Sequence, residues 1–228
     1  MHKNKLMDDF IQSLETVFKE NSNPTIASQQ KAYMRNQFEF YGIKSPLRRE
    51  IQKPFLVKTY LPDKKELKPL VKILWQKPQR DYHYFAQELV FKYKKQFEKQ
   101  DIDLFEYMVK HNAWWDTIDF IAPTLMGHYF KQYPNEIKPN IDKWLTSDNI
   151  WLKRCCIIFQ LKYKENLDTI LLSDIINACL GSKEFFINKA IGWILRNYSR
   201  IDPQWVVEFV NKTNLSNLSK REALRLLK

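Results

Sequence analysis

Glycine is scarce in this sequence, with 4 residues among 228. An α/β enzyme spends glycines on phosphate-binding loops and tight turns, so the scarcity points away from that class and toward helices. The four histidines, His2, His83, His111 and His128, are scattered and form no cluster at metal-ligand spacing. No metal site is therefore expected, and no cofactor is expected either. The three cysteines, Cys155, Cys156 and Cys179, are odd in number and lie in apolar helical patterns. That usage reads as buried thiols in a reducing cytosol rather than a disulfide framework, so a cytoplasmic protein is expected. No apolar run approaches the roughly 18 residues of a membrane span. The first residues, MHKNKLMDDFIQSL, read as an amphipathic helix with acidic residues inside it, not as a signal peptide.

Positive charge is what the chain has in excess. Lys and Arg number 37 against 26 Asp and Glu, a formal charge of +11. Such an excess attracts polyanions at long range, although composition alone does not gather the charges onto one face.

Apolar residues recur at helical spacing along the whole chain. Leu6, Phe10, Leu14, Val17 and Phe18 predict a first helix over 5–20, and a break over 21–24 precedes a second carrying Ile26, Tyr33 and Met34. Ser45 and Pro46 stand in the cap-then-proline order of a helix start, and Arg48, Arg49 and Lys53 are expected on that helix's solvent side. Further helices are predicted over 64–75, 80–94, 101–109, 113–129, 135–145, 148–163, 168–179, 183–198 and 203–210, and from about 219. No linker is long enough to divide the chain, so residues 1–228 read as one domain.

Segment 149–163, NIWLKRCCIIFQLKY, aligns without gaps on segment 184–198, EFFINKAIGWILRNY, at an offset of 35. FKYK at 91–94 echoes LKYK at 161–164, an offset of 70. The period equals two helices and two short loops, which predicts an all-α fold of HEAT-like tandem repeats, a curved α-solenoid with a concave basic surface.

The most unusual segment is HNAWWDTIDFIAP, residues 111–123. On a helix Trp115 and Asp119 share a face about 6 Å apart along the axis, with Asp116 on a neighbouring face. An indole beside a carboxylate is one way to stabilise a cationic base and the positive charge that develops on a sugar. A purely packing role for Trp114 and Trp115, with the aspartates as surface or cap residues, stays open at this stage. Trp193 replaces the aliphatic Ile158 of the preceding repeat, and Arg154 stands one turn before Ile158, so it suits either a phosphate or a salt bridge. Lys44, Arg48, Arg49, Lys53, Lys153, Lys183, Lys189, Lys220 and Arg221 recur near helix starts, where amide donors also attract phosphate.

Longer ordered segments carry a resemblance. They are YMRNQFEFYGIKSPLRR at 33–49, WWDTIDFIAPTLMG at 114–127, SDNIWLKRCCIIFQLKYK at 147–164, SKEFFINKAIGW at 182–193 and LSKREA at 218–223. Across essentially its whole length the chain resembles the AlkD family of bacterial DNA alkylation repair enzymes. The resemblance implies a monofunctional DNA glycosylase built from HEAT-like repeats, acting on N3- and N7-alkylated purines in duplex DNA. It implies Asp119 as the catalytic carboxylate, Trp115 and Trp193 as active-site tryptophans, Arg154 as a phosphate-binding arginine and Tyr33 as an aromatic near the lesion strand. A monomer without an obligate protein partner or membrane attachment is expected. Two other readings remain at this point: a non-catalytic DNA-binding relative, and a HEAT-type protein-interaction scaffold.

Overall fold

The computed structural model describes residues 2–227, with side chains from residue 7 onward. Leu6, which opens the first apolar pattern, lies outside the described side chains. Among the described residues the fold is all-helical, apart from one isolated bridge between Glu39 and Gln79. The chain packs as two compact units, residues 1–96 and 97–228.

The first unit comprises α1 (His2–Glu20), α2 (Pro24–Tyr33), α3 (Ser45–Gln52), α4 (Lys64–Gln76) and α5 (Arg80–Lys92). Phe10, Leu14 and Phe18 repeat every four residues along α1 and bury one face, Phe10 against Phe55 and Phe85 and Phe18 against Tyr82. Leu67, Leu70, Val71, Leu74 and Trp75 of α4 complete the core with Tyr82, Phe85, Ala86 and Leu89 of α5. Asn23 caps α2 by accepting from the Ile26 amide, and Pro24 follows where its missing N–H costs no helical bond. Gly42 is required by space as well as by its φ of +82°, since a Cβ there would lie 2.0 Å from the Asn23 carbonyl oxygen.

Two details of α3 depart from the sequence reading. Lys44, in extended conformation, takes the N-cap position, and Ser45 is already helical. Arg48 does not face solvent: it is 4% exposed, donates to Gln52 Oε1 at 3.0 Å and Glu88 Oε1 at 3.1 Å, and lies over the Tyr84 ring. Glu88 and Tyr84 of α5 turn toward α3 and draw the guanidinium inward. Arg49 and Lys53 keep the exposed side.

The second unit comprises α6 (Asp101–Lys110), α7 (Trp115–Phe120), α8 (Gly127–Gln132), α9 (Ile137–Leu145), α10 (Ile150–Ile158), α11 (Thr169–Ala178), α12 (Phe185–Tyr198), α13 (Pro203–Lys212) and α14 (Asn217–Ala223). The predicted 35-residue repeat falls on α10 and α12, which pack together. Equivalent positions share burial, Cys155 with Ala190 and Tyr163 with Tyr198. Gly192 lets α14 press against α12, because a Cβ there would meet Glu222 Cβ at 2.4 Å and the Ser219 oxygen at 3.0 Å. Ser219 Oγ then donates to the Asn188 carbonyl at 2.9 Å and ties the two helices.

One long helix was expected over 113–129, and the structure divides it. Asn112 has φ +49° and Trp114 is extended, so α7 starts only at Trp115. Residues 121–126 then widen into a π-helical turn before α8 continues. The cause is Pro123, which has no N–H to donate and whose ring crowds the carbonyl four residues earlier, that of Asp119. Widening by one residue relieves that crowding, and π turns of this kind concentrate at functional sites.

Candidate active site

Three helices of the second unit bring Asp119, Arg154 and Trp193 together. The carbonyl of Trp114 begins α7 by accepting from the Ile118 amide and from Thr117 Oγ1, each at 3.2 Å. Asp119 therefore sits one turn along from Trp115, on the same face. Asn149 caps α10 by accepting from the Trp151 and Leu152 amides, which fixes the start of the helix that carries Arg154.

Arg154 is buried, and its fork closes on Asp119. Nε–H donates to Oδ1 at 2.9 Å and Nη2–H to Oδ2 at 3.0 Å, while Nη1–H donates to the Phe186 carbonyl at 2.6 Å. The guanidinium carbon lies 5.9 Å from the centre of the Trp193 ring. A planar fork held on two edges has one orientation, which a lysine cannot reproduce.

Asp119 retains 21% side-chain exposure, so part of its side chain reaches solvent. Burial pushes its carboxyl up to about 6, the Arg154 guanidinium opposes that rise, and the neighbouring Asp116 adds to it. Near neutral pH the carboxylate is ionised yet poorly solvated. That combination makes it responsive to positive charge arriving beside it. Trp115 and Trp193 are half-buried, positioned between core and solvent.

A family model for DNA alkylation repair enzymes matches residues 14–227. The chain belongs to that family. A solved structure of a predicted DNA alkylation repair enzyme from Enterococcus faecalis matches this chain with a TM-score of 0.84 at 33% identity, covering 91% of this chain and 97% of that one. No curated protein matches the chain. The family assignment agrees with the resemblance carried by the WWDTIDFIAPTLMG and LKRCC segments.

In this DNA alkylation repair chain the basic candidates fall into distinct settings. Lys153 and Lys220 are half-buried and Arg221 is exposed in the second unit. Lys189 pairs with Glu222 Oε1 at 2.8 Å. In the first unit Lys44 and Arg49 are exposed, Arg48 is the buried partner of Glu88, and Tyr33 is 70% exposed at the end of α2. The DNA alkylation repair chain's three thiols are buried, and burial raises all of them, Cys179 up to about 11. They stay protonated near neutral pH and offer no nucleophile. Among the described residues no three His, Cys, Asp or Glu side chains gather as metal ligands, and no helix is long and apolar enough to cross a membrane.

Sequence reasoning missed an ion-pair cluster on the helix that carries Trp193, and the Phe186 carbonyl that accepts from Arg154. Arg196, three residues after it, donates to Glu222 Oε2 at 2.5 Å, and Glu222 is the carboxylate shared with Lys189. Spacing alone carried the signal, since positions 189, 193 and 196 fall on one helical face. The Phe186 carbonyl had no such signal, because any residue supplies a carbonyl.

Proposed function

We propose that the protein is a monofunctional DNA glycosylase that hydrolyses the N-glycosidic bond of positively charged N3- and N7-alkylated purines in duplex DNA. The observation that carries this reading is the Asp119 carboxylate locked by Arg154, whose guanidinium lies near the Trp193 ring, with Trp115 one turn before Asp119 on α7.

Alkylation at N3 or N7 leaves the purine cationic. When the bond from C1′ to the purine nitrogen breaks, its electron pair neutralises the ring, so a strong general acid is unnecessary. Positive charge moves onto the deoxyribose. Asp119, ionised and weakly solvated, stabilises that charge, and the indole faces of Trp115 and Trp193 favour it as well. Water adds at C1′ and releases a proton, leaving an abasic site and the free base. Both Asp119 oxygens already accept from Arg154, which favours electrostatic stabilisation over proton abstraction as the carboxylate's main contribution. Arg154 keeps the carboxylate oriented and places cationic charge near the strand's phosphates. Tyr33, Lys44, Arg49, Lys153, Lys189, Lys220 and Arg221 complete the assignment as DNA-binding residues, with residues 1–228 serving one DNA-binding domain; Arg48, buried against Glu88, drops out of it. The protein acts as a cytoplasmic monomer and uses no cofactor.

Selectivity in this scheme comes from the weakened bond rather than from a pocket shaped to one base. Incubation with duplex DNA carrying 7-methylguanine, 3-methyladenine or neutral 1,N6-ethenoadenine tests it. The two cationic bases are expected to be released and the neutral one retained. Equal release of all three would overturn the proposal.

A further inference from the structure

The functional cluster is drawn from three helices, and three aromatic rings join those same helices beside it. Trp114 immediately precedes α7, Trp151 is the second residue of α10, three before Arg154, and Phe186 is the second residue of α12. Their ring centres form a closed triangle: 5.6 Å between Trp114 and Trp151, 5.4 Å between Trp114 and Phe186, and 4.9 Å between Trp151 and Phe186. None of the three belongs to the fully buried core; all are half-buried. Trp114 Nε1 is buried without a hydrogen-bond partner, so that ring is held by shape and ring contact alone. The triangle reaches the chemistry through one atom, the Phe186 carbonyl oxygen, which accepts from Arg154 Nη1 at 2.6 Å.

We infer that Trp114, Trp151 and Phe186 form an aromatic brace that positions the Arg154 guanidinium against Asp119. The inference rests on the reading of Arg154 and Asp119 as the functional pair. A guanidinium is planar, so its orientation is set by any two of its edges. Asp119 holds one edge and the Phe186 carbonyl holds Nη1. The second contact lies on the first turn of α12, whose position relative to α10 and α7 the rings fix by direct packing. Without the brace, α12 has fewer contacts fixing its start, the third hold on Arg154 loosens, and the guanidinium is freed from the geometry that opposes Asp119's burial.

Loss of a bulky ring can lower activity simply by destabilising the protein, so the decisive readout is the ionisation of Asp119 itself. The charged or titratable side chains that act on it are Arg154 from α10, Asp116 from α7 and the Cys155 thiol. The experiment follows the Asp119 carboxyl carbon by NMR as a function of pH in the native protein, Trp151→Leu, Trp151→Phe and Phe186→Leu, with Asp119→Asn assigning the signal. Trp151→Leu and Phe186→Leu are expected to raise the midpoint by about one unit, a tenfold change in proton affinity, with Trp151→Phe close to native. A native midpoint in a cooperatively folded Trp151→Leu protein would overturn the brace. If that variant does not fold, Phe186→Leu decides by the same criterion. Base release by the native protein is measured separately, so its absence would sink the glycosylase reading while the titration still decides the brace.

Discussion

Lowering the pH from about 7.5 to about 5 is expected to switch off base release without unfolding the protein. Asp119 titrates at about 6 because burial outweighs the Arg154 guanidinium. Activity that needs the ionised form is therefore present above that value and lost as pH falls through it. With that midpoint the ionised fraction is about 97% at pH 7.5 and about 9% at pH 5, so the single-turnover rate should fall roughly tenfold. Stability moves the other way for this group. Its folded value lies above the ordinary carboxylate value, so its contribution to stability is fully present below the unfolded value and is lost as pH rises through about 6. Glu106 behaves oppositely: against its burial, Lys110, Lys143 and Trp144 hold it down at about 2, and the stability it supplies above its unfolded value is still largely intact at pH 5. The assay is release of 7-methylguanine from methylated duplex DNA with protein in excess, after subtraction of release in buffer alone, with circular dichroism recorded at each pH. A flat rate between pH 5 and 7.5 in a folded, DNA-saturated protein would refute the reasoning.

Arg154→Lys keeps the charge and loses the fork on Asp119 and the contact to Phe186. Single-turnover release should fall about tenfold to a hundredfold, equivalent to roughly 1.5–3 kcal/mol, and retention of the native rate would show that the planar geometry is unimportant. Gly192→Ala drives a methyl into Glu222 and Ser219, so urea denaturation should show a loss of about 1–3 kcal/mol, whereas native stability would mean that α14 shifts freely. A thiol reagent such as Ellman's should find the three cysteines unreactive in the native protein and reactive in denaturant, since burial keeps them protonated and covered. Rapid labelling of the native protein would contradict that packing.

Helical periodicity and caps made most helices legible, because i, i+4 apolar spacing and Pro or Asn starts act locally. The start of α2 falls one residue earlier than expected, at Pro24, and the α10 and α12 pair with its 35-residue offset was visible in sequence, although α10 ends at Ile158 and tightens into a 3-10 turn over Phe159–Lys162 instead of running on to 163. The long helix expected over 113–129 was less faithful. Its start depends on the left-handed Asn112 backbone and its widening on the crowding of one carbonyl by Pro123, both matters of backbone geometry. Asp119 and Trp115 were visible as a pair four residues apart. The closure of Arg154 onto Asp119 was not, because 35 residues separate them and only the packing of α7 against α10 brings them to hydrogen-bond distance. Arg48 shows the same limit from the other side: a basic residue near a helix start looks solvent-facing until Glu88, 40 residues on, draws it inward.

The most direct test of the account measures release of 7-methylguanine and 3-methyladenine from methylated duplex DNA by the native protein and by Asp119→Asn, with DNA binding measured for both. The account predicts release by the native protein, a sharp fall in the variant and retained binding. Equal release by the two proteins, or none by the folded native protein, would contradict it.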